Sequence, residues 1–240
     1  MRILLGSGGF RTPERVSLLR GAMQQHFGAI RKLLFVPFAL ADYDAYVASI
    51  VQRGLDAGYQ IDGIHTHPDP TRAVWEAEGI FVGGGNTFRL LKSLYDLELL
   101  DVIRSKVKAG LPYLGVSAGC NIACPTIRTT NDMPIVEPPS LNALGLVPFQ
   151  VNPHYVHGPM SYQDAGGEYH AHFGETRDDR LREFHEENTT PVVGLWEAGL
   201  LHYDGSRLLL SATPARVFRR GEVPVDVEPG ADLTSLVLVK

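Results

Sequence analysis

Over the first half of this sequence, short runs that are apolar at nearly every position alternate with segments of helical spacing. The runs are residues 2–5, 32–37, 60–64, 80–82 and 113–116. A strand with no polar face must be covered on both faces, which is the situation of a strand inside a parallel sheet. The segments between them carry recognisable helix ends. Thr12-Pro13-Glu14 supplies an N-cap, a proline at the first helical position and an early acid, and Gly28 closes that segment. Asp42 opens a helix expected to run to Gly58, with Tyr46, Val47, Ile50 and Val51 at helical spacing. Asp69-Pro70 starts a shorter helix through Glu78, and Asn86 caps one through Tyr95. Residues 102–109 form another, stopped by Gly110 and Pro112.

After Pro125 the pattern changes. Residues 125–148 hold many Thr, Asn and Pro and read as a long ordered loop. Residues 149–152 are strand-like, and 177–187 form a helix behind Thr176. Strands are predicted at 192–195, 200–203 and 208–211, the last two joined as a hairpin across Asp204-Gly205. The predicted class is α/β: a three-layer αβα sandwich with a mixed, mainly parallel sheet. No repeat, charge run or linker divides the chain, so residues 1–240 read as one domain.

Composition narrows the partners. Lys+Arg 22 against Asp+Glu 27 gives a net charge of −5, which disfavours a nucleic-acid groove or an anionic membrane surface. The longest apolar stretch, residues 33–41, is far short of a membrane span and contains Pro37. Ile3-Leu4-Leu5 before Gly6 is too brief for the apolar core of a signal peptide. Cys120 and Cys124 cannot build a disulfide framework, and a C-x3-C spacing alone is not a zinc signature. The expectation is a cytoplasmic protein with no cofactor and no metal, compatible with a homodimer.

Gly115-Val116-Ser117-Ala118-Gly119 follows one predicted strand and precedes a short predicted helix over 118–124. This is the setting of the G-x-S-x-G nucleophile elbow, although the bare pattern also arises as a serine placed in a turn to cap a helix. A tight turn there lifts the serine hydroxyl above the sheet, and a helix N-terminus beside it offers N–H groups to a developing oxyanion. Gly83-Gly84-Gly85-Asn86-Thr87, after the preceding strand, suits a second oxyanion donor. A phosphate loop is the rival reading, but the Lys-Ser/Thr of a P-loop and the G-x-G-x-x-G spacing are both missing. Gly6-Ser7-Gly8-Gly9 also misses the dinucleotide fingerprint. Of nine histidines, His65 and His67 lack a third metal ligand, and His170 and His172 read as loop residues. His154 follows Asn152-Pro153 at a strand end, where it serves equally well as a half-buried capping residue or as a base.

Residues 115–136, 82–88, Asn152-Pro153-His154-Tyr155, Gly174-Glu175-Thr176-Arg177 with Arg180, and Gly194-Leu195-Trp196-Glu197 together resemble peptidase E, the α-aspartyl dipeptidase family of serine peptidases. The blocks fall in the family's order and span most of the chain. The resemblance implies a class I glutamine amidotransferase-like fold and hydrolysis of dipeptides with an N-terminal aspartate, so the expected partner is a small peptide. It implies Ser117 as nucleophile, His154 as general base and Glu197 as the acid that orients the histidine, with Asp132 as the alternative acid. It implies an oxyanion hole from the N–H groups of Gly85 and Ala118. Asn86 and Arg177 match substrate-pocket positions, with Arg128 and Glu175 as further candidates. The chain departs from the family at residues 155–173, a longer segment read as an irregular, lid-like loop. It departs again at Val116, where the family often has an aromatic residue. Those departures keep two other readings open: a hydrolase of longer Asp-peptides or of β-aspartyl-arginine polymer, and a non-catalytic binding domain of amidotransferase-like fold.

Overall fold

The computed structural model describes residues 1–238. Strands β1 (Ile3–Gly6), β2 (Lys32–Val36), β3 (Gln60–Gly63), β4 (Ile80–Val82) and β5 (Tyr113–Val116) are the apolar runs of the sequence. They pair in parallel in the order β1-β5-β4-β2-β3. Both faces are covered. Leu4, Leu33, Phe35 and Leu114 face a core shared with α1 (Pro13–Phe27) and α2 (Tyr43–Gln52), whose Leu19, Met23, Phe27 and Ile50 fill it. Ile3, Leu5, Leu34 and Val36 face the opposite core. Its other wall is α3 (Pro70–Glu76), α4 (Thr87–Asp96), α5 (Leu99–Lys108) and α6 (Ala118–Ala123), through Val74, Leu90, Leu94, Ile103 and Ile122. Each fully buried Leu, Val or Phe contributes about 1.5–3 kcal/mol, and two such cores explain why β1, β4, β5 and the body of β2 have no polar face, whereas edge strand β3 keeps Gln60 exposed and Asp62 half-buried.

Helix ends follow local chemistry. Thr12 Oγ1 accepts from Arg15 N, Pro13 occupies the first turn of α1, and Gly28 closes it at φ +65°. The helix expected to reach Gly58 stops at Gln52. Gly54 turns left-handed at φ +65°, and the chain then folds Leu55, Ala57 and Tyr59 into the α1–α2 core instead of extending the helix. The helix expected to start at 102 begins at Leu99, because Glu98 takes a left-handed link directly out of α4.

The seven-stranded sheet is the expected mixed, mainly parallel one, and the second half adds another sheet to it. β6 (Gln150–Pro153) begins a second, four-stranded sheet. The strand at 192–195, β9 (Val192–Leu195), joins it, running parallel to β6. The long segment after His154 is not irregular: β7 (Ser161–Gln163) and β8 (Tyr169–Ala171) form an exposed hairpin, turned by Asp164, whose carboxylate accepts from Gly166 N and Glu168 N. The helix α7 (Arg177–Glu187) packs Leu181 against Tyr155, Val192 and Phe218. β10 (Leu200–Tyr203) and β11 (Leu208–Ser211) are the predicted hairpin and extend the large sheet antiparallel beside β1. β12 (Ala215–Phe218) and β13 (Val225–Val227) complete the second sheet in the order β13-β12-β9-β6, and α8 (Thr234–Val237) follows. Among the described residues no helix is long and apolar enough to cross a membrane.

Register decides what meets at the sheet edge. Gly6 pairs with Val116 and Val82 with Gly115, so the segments starting at Ser7, Gly83 and Ser117 leave side by side. Pro153 pairs with Leu195 in the second sheet, so His154 and the turn carrying Glu197 also emerge together.

Candidate active site

Ser117 sits at φ +54°, ψ −110°, between the end of β5 and the first residue of α6. Both glycines of the elbow are sterically required. A Cβ on Gly115 would lie 2.3 Å from Gly119 O, and one on Gly119 would lie 2.3 Å from Val82 O. Ser117 N donates to Gly6 O at 2.9 Å, tying the turn to β1. The strained backbone thereby presents the hydroxyl at the carboxyl edge of the sheet, where open α/β sheets bind ligands.

The hydroxyl finds His154. Ser117 Oγ lies 2.8 Å from His154 Nε2, and His154 Nδ1 lies 2.9 Å from Glu197 Oε1. A carboxylate can only accept, so Nδ1 carries the proton and Nε2 is left to accept from the serine. The His154 hydrogen bond, together with the nearby charges of Arg15 and Arg11, holds the Glu197 carboxyl below its ordinary range despite partial burial. It is an anion at neutral pH. Such a chain allows the imidazole to take the serine proton and then bear the positive charge.

The segment Gly6-Ser7-Gly8-Gly9, which the sequence offered only as a failed nucleotide loop, is the platform beneath this chain. Fully buried Ser7 donates its hydroxyl to Leu195 O at 2.8 Å and accepts from His154 N at 2.8 Å. It holds His154 in the left-handed region at φ +54°. A Cβ on Gly8 would lie 2.4 Å from the His154 ring, and one on Gly9 would lie 2.1 Å from Glu197 Oε2. The available signal was a pair of adjacent glycines at a strand end without phosphate spacing.

Asp132 does not reach the histidine. Its carboxylate accepts from Thr87 N at 2.8 Å, Thr87 Oγ1 at 2.6 Å and Thr130 Oγ1 at 3.1 Å, at the positive end of α4. As the alternative triad acid it is corrected to an anchor of the loop that carries Gly85 and Asn86. Ala118 opens α6, and N–H groups of a first helical turn have no partner within their helix. Gly84 packs on the nucleophile: a Cβ there would lie 3.0 Å from Ser117 Cβ. Asn86 caps α4 through Oδ1, accepting from Arg89 N, while Nδ2 donates to Met133 O.

Arg177 begins α7 and is half-buried, without an ion pair or side-chain hydrogen bond among the described residues. Burial, and then the charge of neighbouring Arg180, push its pKa down. Its neighbour Asp178 accepts from the hydroxyl of Tyr155, the residue after His154, which brings the start of α7 to the histidine segment. Arg128 is exposed beside a cavity of about 470 Å³ shared with Asp132, Arg180 and Glu183, and Glu175 pairs with Arg180 at 3.4 Å.

His65 pairs with Asp44 and His67 with Asp62. One group among the described residues gathers three metal-capable side chains, Asp164, Glu168 and His170 on the exposed hairpin, and Asp164 is already engaged by backbone N–H groups and His170. The two free cysteines are buried, and burial pushes the Cys124 thiol up to about 12 and Cys120 well above its usual value. Neither is available as a thiolate.

The fold and the Ser–His–Glu chain on a nucleophile elbow define a serine hydrolase of the αβα class. Within that class the chain belongs to peptidase family S51, whose sequence model matches residues 2–211. It is 50% identical over 210 residues to peptidase E of Streptomyces coelicolor, covering 87% of this chain and 83% of that one. A Drosophila melanogaster protein named "Probable alpha-aspartyl dipeptidase" is 43% identical over 239 residues, covering 98% and 96%. The solved structure of a peptidase from an acI-B1 actinobacterium superposes with a TM-score of 0.66 at 15% identity, covering 97% of this chain and 96% of that one. That last likeness concerns the fold.

Proposed function

We propose that this chain is a cytoplasmic serine peptidase that hydrolyses the peptide bond after an N-terminal aspartate in dipeptides. The Ser117–His154–Glu197 hydrogen-bonded chain carries the reading. The relatives named peptidase E and alpha-aspartyl dipeptidase support the substrate class. Ser117 Oγ attacks the aspartyl carbonyl carbon as its proton passes to His154 Nε2. The carbonyl oxygen becomes an oxyanion held by the N–H groups of Gly85 and Ala118. Collapse expels the leaving amine, which takes the proton from the imidazolium, and leaves an aspartyl ester on Ser117. Water, deprotonated by His154, repeats the sequence and releases aspartate. Arg177 binds the substrate's side-chain carboxylate, because a buried carboxylate needs a paired cation and this guanidinium has no partner among the described residues. Asn86, which caps α4 directly after the oxyanion loop, is the second substrate-pocket residue of this reading. The free thiols support a reducing compartment. A longer Asp-peptide is the second reading, favoured by the exposed hairpin that follows His154.

One experiment separates these. Asp-Leu, Glu-Leu, Asn-Leu and Asp-Leu-Leu are compared on the wild type and on Arg177→Met. Asp-Leu should be the best substrate, and Arg177→Met should lower kcat/KM for it by the equivalent of about 3–5 kcal/mol. An uncharged activated ester should lose far less. Equal loss on both substrates would move Arg177 from recognition to scaffold, and faster turnover of Asp-Leu-Leu would favour the longer peptide.

A further inference from the structure

The loop Gly83-Gly84-Gly85 is anchored at both ends by backbone: Gly83 N donates to Val36 O at 3.2 Å and Asn86 N to Ala39 O at 2.9 Å. The Gly84 and Gly85 N–H groups between them have no protein acceptor among the described residues. The peptide joining those two glycines has one fixed point. Tyr46, on α2, donates its hydroxyl to Gly84 O at 2.8 Å. A trans peptide is planar, and its C=O and N–H point in opposite directions. Holding Gly84 O on Tyr46 therefore aims the Gly85 N–H away from α2. Gly84 itself rests on the nucleophile, where a Cβ would lie 3.0 Å from Ser117 Cβ and 3.5 Å from Oγ.

We infer that Tyr46 is a positioning residue of the oxyanion hole, its hydroxyl holding the Gly84–Gly85 peptide in the orientation that offers Gly85 N–H to the developing oxyanion. The inference rests on Ser117 being the nucleophile. A peptide flanked by glycines rotates easily, and Gly85 sits at φ +132°, so an external anchor is needed to keep one orientation. Tyr46 is suited to that task. Its ring packs edge-on against Phe35 at 5.1 Å, and a Cβ on Gly83 would sit 2.6 Å from its hydroxyl. Burial raises its pKa to about 12, so it remains a donor throughout the neutral range.

Tyr46→Phe removes the hydroxyl and keeps the ring. For Asp-Leu, kcat should fall by roughly 10- to 100-fold, less than or comparable to deleting an oxyanion donor outright, with KM within about twofold of wild type. A second readout isolates the oxyanion: the rate ratio between aspartate α-methyl ester and its thionoester, measured well below the melting transition. An intact hole favours oxygen strongly, so the ratio should narrow by about tenfold in Tyr46→Phe. Unchanged kcat would overturn the inference. So would a fall in kcat with an unchanged oxygen-to-sulfur ratio, which marks a merely structural tyrosine. An inactive Ser117→Ala beside a fully active Tyr46→Phe would remove this inference alone. Wild-type hydrolysis by Ser117→Ala would remove it together with the reading it rests on.

Discussion

Glu197 and Asp132 are both carboxylates near one sheet edge, and their hydrogen bonds assign them different work. Glu197 accepts a hydrogen bond from His154 Nδ1, and Asp132 accepts three from Thr87 and Thr130. Replacing Glu197 by Gln keeps the side chain's shape but cannot balance an imidazolium charge. In Glu197→Gln, kcat should fall by about 10⁴-fold, the size expected when a triad carboxylate becomes an amide. Asp132→Asn should leave the triad in place. It should lower the melting temperature slightly, because a neutral amide oxygen accepts more weakly than a carboxylate from Thr87 and Thr130 at the positive end of α4, and reduce kcat much less. Steady-state kinetics on both variants decides the matter, and the reverse ranking would return the orienting role to Asp132.

At the scale of the element, α7 has the most dependent geometry, since its first residue is Arg177. Thr176 accepts from Asp179 N, and Asp179 accepts from Thr176 N and Oγ1, a reciprocal capping box. Those bonds, with help from Arg182, pull the Asp179 carboxyl from 3.8 down to about 2. A depressed folded pKa means that the stabilisation is complete above the unfolded value and is lost as pH falls through the folded one. The N-terminal turn of α7 should therefore hold at pH 5 and loosen between about pH 4 and 2. Amide exchange of residues 177–181 would read this, and Asp179→Asn should abolish the acid-linked step. Thr176→Ala should cost about 1 kcal/mol in a denaturant melt at neutral pH. No acid step, or the same step in Asp179→Asn, would mean that the turn is held by packing of Leu181 instead.

Across the whole molecule, two sheets contribute to one site, and Ser7 is where they are pinned. Its single hydroxyl links the end of β1 in the large sheet to Leu195 on β9 and to His154 beyond β6 in the second sheet. Ser7 N to Gly199 O and Ala198 N to Gly8 O continue the seam past Glu197. Ser7→Ala leaves the His154 N–H and the Leu195 carbonyl without that partner in a buried place. It should lower stability by about 1–3 kcal/mol and reduce kcat more than it raises KM, since the base shifts while the binding groups stay. Ser7→Thr keeps the hydroxyl and should recover part of kcat. Denaturant melts paired with kinetics test this, and a destabilised Ser7→Ala with full kcat would reduce Ser7 to a structural pin.

The sequence by itself determined the strands of the first half, most helix starts and the elbow, because their causes are local. Period, caps and turn residues act within a few positions, and Thr12, Asn86, Thr176 and Gly115-Val116-Ser117-Ala118-Gly119 formed what they spell. Local rules also placed His154 at a strand end, but left its partner undecided. Only the tertiary structure chose between Glu197 and Asp132, drew a second sheet out of the strands after Phe149, folded residues 161–171 into a hairpin, and made Gly6-Ser7-Gly8-Gly9 the floor of the triad. The physical reason is that these outcomes depend on which distant strand lies alongside. The pairing of Pro153 with Leu195 and of Gly6 with Val116 brings together residues separated by scores of positions. Apolar periodicity says which face of a strand is buried, and it carries no information about which neighbour buries it.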